Sequence, residues 1–535
     1  MPILTLIDIL GIQRFVFASN RLKDVVGGSQ LVNECSGWDG WLAPQAQAGR
    51  VVVAAGGNAL LIFETLDEAR ELAADFSRRV LDDAPGLDTV VVHREYAAGE
   101  LSAAILASKI DVAAAKARRR PSVPLLGLSV TARCNETGAV ATQLDPREGA
   151  SVPISAGVAA RREALLRCRK SDRKVLRNVE VAGLDESGLR LGFPFENDHL
   201  GRTHEETSWI GVVHVDGNGI GQRVAAWLAG CQARGAGDDE VVAQYRALSA
   251  GLNKLGQAAF EAVCRRVAGA IECNAKGKYV LACSALGQHL ELKAKGGLLF
   301  MPVRPILIGG DDLTFLCDGR LALDLAEAAM AVYEAASVEV LGPVRACAGV
   351  ALVKSHAPFS RAYVLAERLC GSAKGWLREA KAEMQCALDW HVGMVDPHEM
   401  LDSLRARDYR WRRGDLTCRP YLLGDPERPE RESWRWLART LLGDSTSEHG
   451  LRGRRWADHR GKARRLAIVA REGPDALADE LAAWQTSQPT LVLPKGLERG
   501  FLEKKTPLLD AVELMDLHWP LGRSGEDAEE RSAQP

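Results

Sequence analysis

The 535-residue sequence contains no Cys-x-x-Cys pair among its 12 cysteines, no apolar run long enough to span a bilayer, and almost no net charge, −2 at pH 7. Each absence excludes something. Scattered cysteines without paired spacing argue against a zinc ribbon or a dithiol redox centre and read as reduced, mostly buried thiols of a cytosolic protein. Without about 18 consecutive apolar residues there is no transmembrane helix to place. The opening "MPILTLIDILGIQRFVF" carries Asp8, Gln13 and Arg14 but no basic leader, so it does not read as a signal peptide. A cytoplasmic protein with no membrane partner is the expectation. The near-zero net charge gives no global case for nucleic-acid binding, so any such case must be local.

What is present is an ordinary globular balance, 47% apolar and 26% charged, on a chain long enough for about three or four domains. One tract departs from it. Residues 401–470 hold 17 basic and 10 acidic side chains, with Trp and Tyr interleaved among arginines in "RARDYRWRR" (Arg405 to Arg413) and "RGRRWADHRGKARR" (Arg452 to Arg465). Such a tract is either a solvated helical face or a surface that follows an RNA backbone.

The most informative stretch is "RPILIGGDDLTFLCDG", Arg304 to Gly319. β-forming residues run into Gly-Gly-Asp-Asp and resume after it, which reads as a hairpin with two adjacent carboxylates at its tip. A fainter copy, "RVVVAAGGNALLIFETLDEARELAADF" (Arg50 to Phe76), parallels "RPILIGGDDLTFLCDGRLALDLAEAAM" (Arg304 to Met330). Each has an upstream strand, "LIDILGI" (Leu6 to Ile12) and "HVDGNGI" (His214 to Ile220), in which Asp8 and Gly11 are spaced as Asp216 and Gly219 are. Each continues into a further strand, "DTVVVHREY" (from Asp88) and "GPVRACAGVALV" (from Gly342). Strand, helix, hairpin, helix, strand is the order of a ferredoxin-like palm. The expected fold is therefore α+β: two palms in one chain, at 1–125 and 206–390, an inter-palm insert at 126–205, a helical Arg/Trp-rich domain at 391–523, and a disordered tail at 524–535.

Two carboxylates side by side on a half-buried hairpin are costly unless a cation or donors compensate them. In a palm the first strand lies beside the central hairpin, so Asp216 should face Asp311 and Asp312. Three carboxylates with oxygen-only ligation suit Mg²⁺ or Mn²⁺ better than zinc. Gly217, Asn218 and Gly219, with Gly309 and Gly310 of the hairpin, are expected to line a nucleotide, the glycines admitting phosphates close to the backbone. Other readings exist. Asp and Gly are common in hairpin turns, and "GNGIGQ" superficially resembles a dinucleotide fingerprint, but its glycine spacing is incomplete and Asp216 would repel a pyrophosphate. The first hairpin aligns Asn58 and Ala59 with the two acids and should hold no metal.

Four motifs together, "GGDD" at 309–312, "VDGNGIG" at 215–221, "GIQRFVFASNRLKDVVGGSQLV" (Gly11 to Val32) and "AERLCGSAK" (Ala366 to Lys374), resemble the large palm-domain subunit of type III CRISPR effector complexes. The resemblance spans roughly residues 1 to 385 and is strongest in the second palm. It implies two bound ATP molecules joined by the GGDD palm into cyclic oligoadenylate, a second messenger. It further implies metal at Asp216, Asp311 and Asp312, triphosphate contact by Lys374, and a second nucleotide site lined by Ser29 and Asn58. The implied partners are RNA-binding repeat-type CRISPR subunits and guide and target RNA. The chain opens directly on the first palm with no His-Asp dipeptide, so a shortened form without the histidine-aspartate nuclease is expected. "CNETG" (Cys134 to Gly138) resembles a zinc-site relic with Thr137 where a second Cys would be, so no zinc is expected. Two other functions compete: a catalytically silent scaffold for RNA and protein, and a cyclase making a cyclic mono- or dinucleotide.

Overall fold

The computed structural model describes residues 1–119, 128–145, 151–200, 209–396, 399–424 and 433–521; the tail expected to be disordered lies outside them. Alternating β-branched residues in "ILTLIDIL" make the strand Ile3–Leu10, which becomes the centre of a four-stranded antiparallel sheet. Its neighbours are Asn58–Phe63 on one side and Asp88–Glu95 on the other, with Val51–Ala55 at the edge. Helices Leu22–Ser36 and Leu66–Asp83 complete the first unit. The second repeats the plan: Val303–Gly309, Asp312–Asp318, Trp209–Gly217 and Ala346–Lys354 stand in the corresponding order, all antiparallel. Both are ferredoxin-like palms, as the order of sequence elements predicts.

The second palm extends further than that pattern. Ala387–Val392 adds parallel to Ala346–Lys354, and Tyr421–Leu422 adds antiparallel to it, so this sheet has six strands. The helix Phe359–Glu379 lies against it with very little clearance. A Cβ on Gly349 would come within 1.9 Å of the Ala366 carbonyl oxygen, so only glycine lets helix and strand meet there.

The basic helix of the insert, Ala156–Val175, is a packing element. It crosses the Leu22–Ser36 helix so closely that a Cβ on Gly27 would sit 1.9 Å from the Arg161 carbonyl oxygen. Arg162 is buried between Asp24 (2.9 Å) and Asp145, Arg161 lies over the Phe15 ring at 4.5 Å, and Arg304 of the second palm pairs with Asp172 at 2.8 Å. The insert thus joins the two palms through buried guanidiniums, each offset by a carboxylate, a carbonyl or a ring.

The Arg/Trp-rich region is likewise largely inward. Trp434 and Trp456 are fully buried and Trp436 nearly so. Arg435 and Arg439 pair with Glu327 of the second palm, and Arg405 reaches the buried Asp389 at 2.5 Å. Arg452, a candidate for an RNA-facing surface, instead spends Nε and Nη2 on the carbonyls of Leu514, Met515 and His518. That candidate is corrected: its guanidinium caps the Leu508–Leu514 helix. Arg412, Arg413 and Arg454 remain exposed. No helix among the described residues is long and apolar enough to cross a membrane.

Candidate metal and nucleotide site

The end of the strand Trp209–Gly217 delivers Asp216, and the adjoining hairpin delivers Asp311 and Asp312 beside it. Carboxylate oxygens of all three lie within 4.8 Å of one another. Local packing dictates this closeness. A Cβ on Gly217 would meet the Asp311 carboxylate oxygen at 2.8 Å, so the glycine is what admits that acid. Behind the turn, Asn253 accepts the Gly310 N–H at 2.9 Å, and the Tyr333 hydroxyl donates to the Asp311 carbonyl at 3.0 Å. Neither carries a sequence motif: Asn253 lies in the helix Asp238–Ala268, 57 residues before the turn, and Tyr333 in the helix Ala322–Ala335, 22 residues after Asp311, and only the fold identifies them.

Electrostatics records the crowding. Burial, then the charge of Asp216, pushes the Asp311 carboxyl up to about 6. Asp312 is exposed at the hairpin tip, yet desolvation together with Asp216 and Asp311 holds it well above the usual carboxylate range. The nearest cation is Lys374 on the Phe359–Glu379 helix, whose Nζ donates to Asp216 and, at 2.7 Å, to the Gly217 carbonyl. Burial opposes its charge, but the Asp216 carboxylate outweighs burial and holds the ammonium above its ordinary value. One cation against three carboxylates leaves an anionic centre, and the all-oxygen donor set fits Mg²⁺ or Mn²⁺. A second grouping, His214, Asp216 and Cys370, fits such ions less well. His214 is bonded to Thr314 at 3.0 Å, and the Cys370 thiol donates to the Cys347 carbonyl. Cys134 belongs to neither of the groupings found among the described residues; it is buried against Ile154 and Val158.

The first palm mirrors this centre in outline. Asp8 pairs with Lys116 at 2.7 Å, and Lys116 lies on Leu101–Arg118, the helix that follows the fourth strand, as Phe359–Glu379 does in the second palm. Gly11 and Gly219 both take left-handed conformations, φ +59° and +64°, and both start helices. Strand register corrects the alignment of the hairpins. Asn58 faces Asp8, and Ala55 pairs Asn58 as Gly309 pairs Asp312. Asn58 therefore corresponds to Asp312 and Gly57 to Asp311, one position from the sequence expectation, because the two Gly-Gly pairs are not equivalent. The first palm still lacks both hairpin acids.

The hairpins meet. A Cβ on Gly309 would lie 3.3 Å from the Gly56 Cα, and a cavity of about 820 Å³ opens between the palms, bordered by Ser29, Gly56, Asn253, Arg304 and Gly309. A larger one, about 1320 Å³, lies between the Asp238–Ala268 and Ala322–Ala335 helices, away from the carboxylates, so size alone does not identify the site. Ser29 is buried and its hydroxyl donates to the Ile306 carbonyl, tying the palms together. Asn58 is exposed. Asn218 is not free to grip a phosphate: its side-chain N–H₂ donates to the Glu383 and Gln385 carbonyls, and its backbone N–H to Arg345. Gly219 does open onto an anion-receptive feature, the N-terminus of the 14-residue helix Ile220–Ala233, which has no side-chain cap.

Fold and site define a two-palm protein with one acid-bearing hairpin. No protein-family model matches the chain, and no curated protein matches it. Solved structures do. Csm1 of T. onnurineus is similar at 15% identity, over 97% of this chain and 70% of Csm1, with a TM-score of 0.54. A Csm1–Csm4 cassette in complex with one ATP is similar at 13% identity, over 96% and 69%, with a TM-score of 0.52. The cassette in complex with cA3 is similar at 13% identity over the same shares, with a TM-score of 0.51. At such identities the likeness establishes the fold.

Proposed function

We propose that this chain is a metal-dependent nucleotidyltransferase that joins ATP into a cyclic oligoadenylate-type messenger, as a subunit of an RNA-guided type III CRISPR-like defence complex. The observation that carries the reading is the convergence of Asp216, Asp311 and Asp312 within 4.8 Å at the meeting of two palms. Neighbours of the same fold that hold ATP and cA3 support the substrate and product class, and Csm4 in those cassettes supports partner subunits of that kind.

Asp216, Asp311 and Asp312 would hold Mg²⁺ or Mn²⁺, which when bound supplies Lewis-acid stabilisation of phosphate charge and acidifies a hydroxyl. In the joining step the 3′-hydroxyl oxygen of one nucleotide bonds to the α-phosphorus of another as its proton passes to solvent, the bond to the β-phosphate oxygen breaks, and pyrophosphate leaves with the electron pair. The chain's own residues orient this. Lys374 has three N–H donors and uses two, on Asp216 and Gly217, leaving one for a phosphate oxygen. The Ile220–Ala233 N-terminus offers backbone N–H groups beside it. Asn253 and Tyr333 keep the hairpin turn from shifting, and holding two nucleotides across one interface removes most of the entropic barrier to their reaction. Ser29 and Asn58 belong to the first-palm side of that interface.

The test is incubation of the full chain with each NTP and Mg²⁺ or Mn²⁺, with products identified by mass spectrometry. Linear and cyclic oligoadenylates are expected from ATP, and none from Asp311→Ala/Asp312→Ala protein that still melts cooperatively. Synthesis retained in that variant would refute the reading.

A further inference from the structure

Trp209 starts the strand that ends near Asp216, and seven residues at about 3.3 Å each put the two roughly 23 Å apart. At the Trp209 end lies a cavity of about 470 Å³ whose walls include Arg320, Arg452, Arg460 and Trp519. Its charges do not balance. Arg320 is answered by Asp318 at 2.9 Å and stacks on Trp519 at 4.4 Å. The lining carboxylate, Asp516, is committed to Arg464 at 2.8 Å. Arg452 and Arg460 have no carboxylate partner among the described residues. Arg452 bonds neutral carbonyls through Nε and Nη2, while its Nη1 is buried with no hydrogen-bond partner. Capping the Leu508–Leu514 helix accounts for two of its nitrogens and leaves the third unexplained. Burial lowers Arg452 to about 10, against the opposing charges of Cys283, Asp516 and Asp444.

We infer that this cavity binds a phosphate-bearing small molecule of mononucleotide size, held by the guanidiniums of Arg452 and Arg460 against the indole walls of Trp209 and Trp519. Guanidinium is the side chain best matched to phosphate oxygens, and the volume is within the range of small-molecule sites. An RNA strand would call for cations spread as a stripe rather than gathered in one cavity. The site is distinct from the carboxylate centre and does not depend on the proposed reaction.

The experiment is calorimetric titration of the full chain with AMP and with inorganic phosphate. Asp311→Asn and Asp312→Asn are present throughout, so that nucleotide at the carboxylates contributes no metal-dependent heat. Saturable AMP binding, displaced by phosphate, is expected. Arg460→Glu should weaken it by roughly tenfold or more, the worth of one charge-assisted contact. Arg452→Lys should weaken it similarly. Because Arg452 also caps a helix and its variant could fail to fold, Arg460→Glu, on an exposed side chain, carries the test alone. Three results would overturn the inference: no binding of either probe at millimolar concentration, binding indifferent to Arg460→Glu, or binding of an oligoribonucleotide that neither AMP nor phosphate displaces.

Discussion

Asp311 and Asp312 are held close to Asp216 by a glycine, an asparagine and a tyrosine, and in the absence of a cation they repel one another. Converting both to asparagine keeps their shape and removes that repulsion. In chelator, the Asp311→Asn/Asp312→Asn protein should melt higher than the native chain, by roughly 2–4 °C for each kcal/mol recovered, while making no product. A lower melting point would mean the acids serve the fold. Individual residues were legible where chemistry constrains their type. Adjacent carboxylates at a hairpin tip announce themselves, whereas Asn218, in the same motif as Asp216, turned out to brace a neighbouring loop, because nothing in a local pattern reveals which distant carbonyls its amide will meet. The Gly-Gly anchor misplaced Asn58 by one position for a related reason: register is set by pairing across strands, here with Asp8, and not by matching turns.

The helices bring the lysines, and their seating on the sheets decides where those lysines point. Gly349→Ala would drive a methyl group into the Ala366 carbonyl and the Cys370 backbone nitrogen, 1.9 and 2.4 Å from the new Cβ. The Phe359–Glu379 helix must then lift, carrying Lys374 away from Asp216. A loss of about 3 kcal/mol or more is expected by denaturant titration, with nucleotide affinity falling alongside; a variant as stable as the native chain would mean the helix shifts freely. The same scale shows what a sequence conveys well and poorly. The repeated strand, helix, hairpin, helix, strand order was readable because each element is short and strongly periodic. The strand Ala387–Val392 was not, since its place depends on a parallel partner more than thirty residues away. The sequence of the helix Ala156–Val175 gives no sign that Arg161 and Arg162 are buried, because burial of a guanidinium depends on Phe15, Asp24 and Asp145 arriving from elsewhere.

Across the whole molecule, charge is mostly settled internally, and two consequences can be measured. Burial, then Arg419 and Arg405, lowers His391 to about 4, and burial with Arg452 lowers His518 to about 3. Both lie below the unfolded value of about 6.5, so the unfolded chain takes up protons first. Their stability contribution is present above pH 6.5 and is lost as pH falls toward 4 and then 3. The melting temperature should therefore decline over that window, and His391→Gln should flatten part of the decline; an unchanged profile would remove His391 as a cause. The second consequence concerns RNA. Among the arginines of residues 401–470, Arg452 is occupied in the interior, Arg455 pairs with Glu448 and Arg410 with Asp415; Arg412, Arg413 and Arg454 are exposed candidates, and Arg460, also exposed, lies at the cavity described above. If these follow a single-stranded backbone, affinity for an oligoribonucleotide should fall with salt at a slope of roughly −0.7 per phosphate neutralised. Reversing the three to glutamate should flatten the slope by about two units, leaving palm chemistry on ATP unchanged. Binding measured across a salt series decides it: a slope indifferent to the reversals would make this tract a solvated face, with its tryptophans and remaining arginines serving only to seal the C-terminal region onto the second palm.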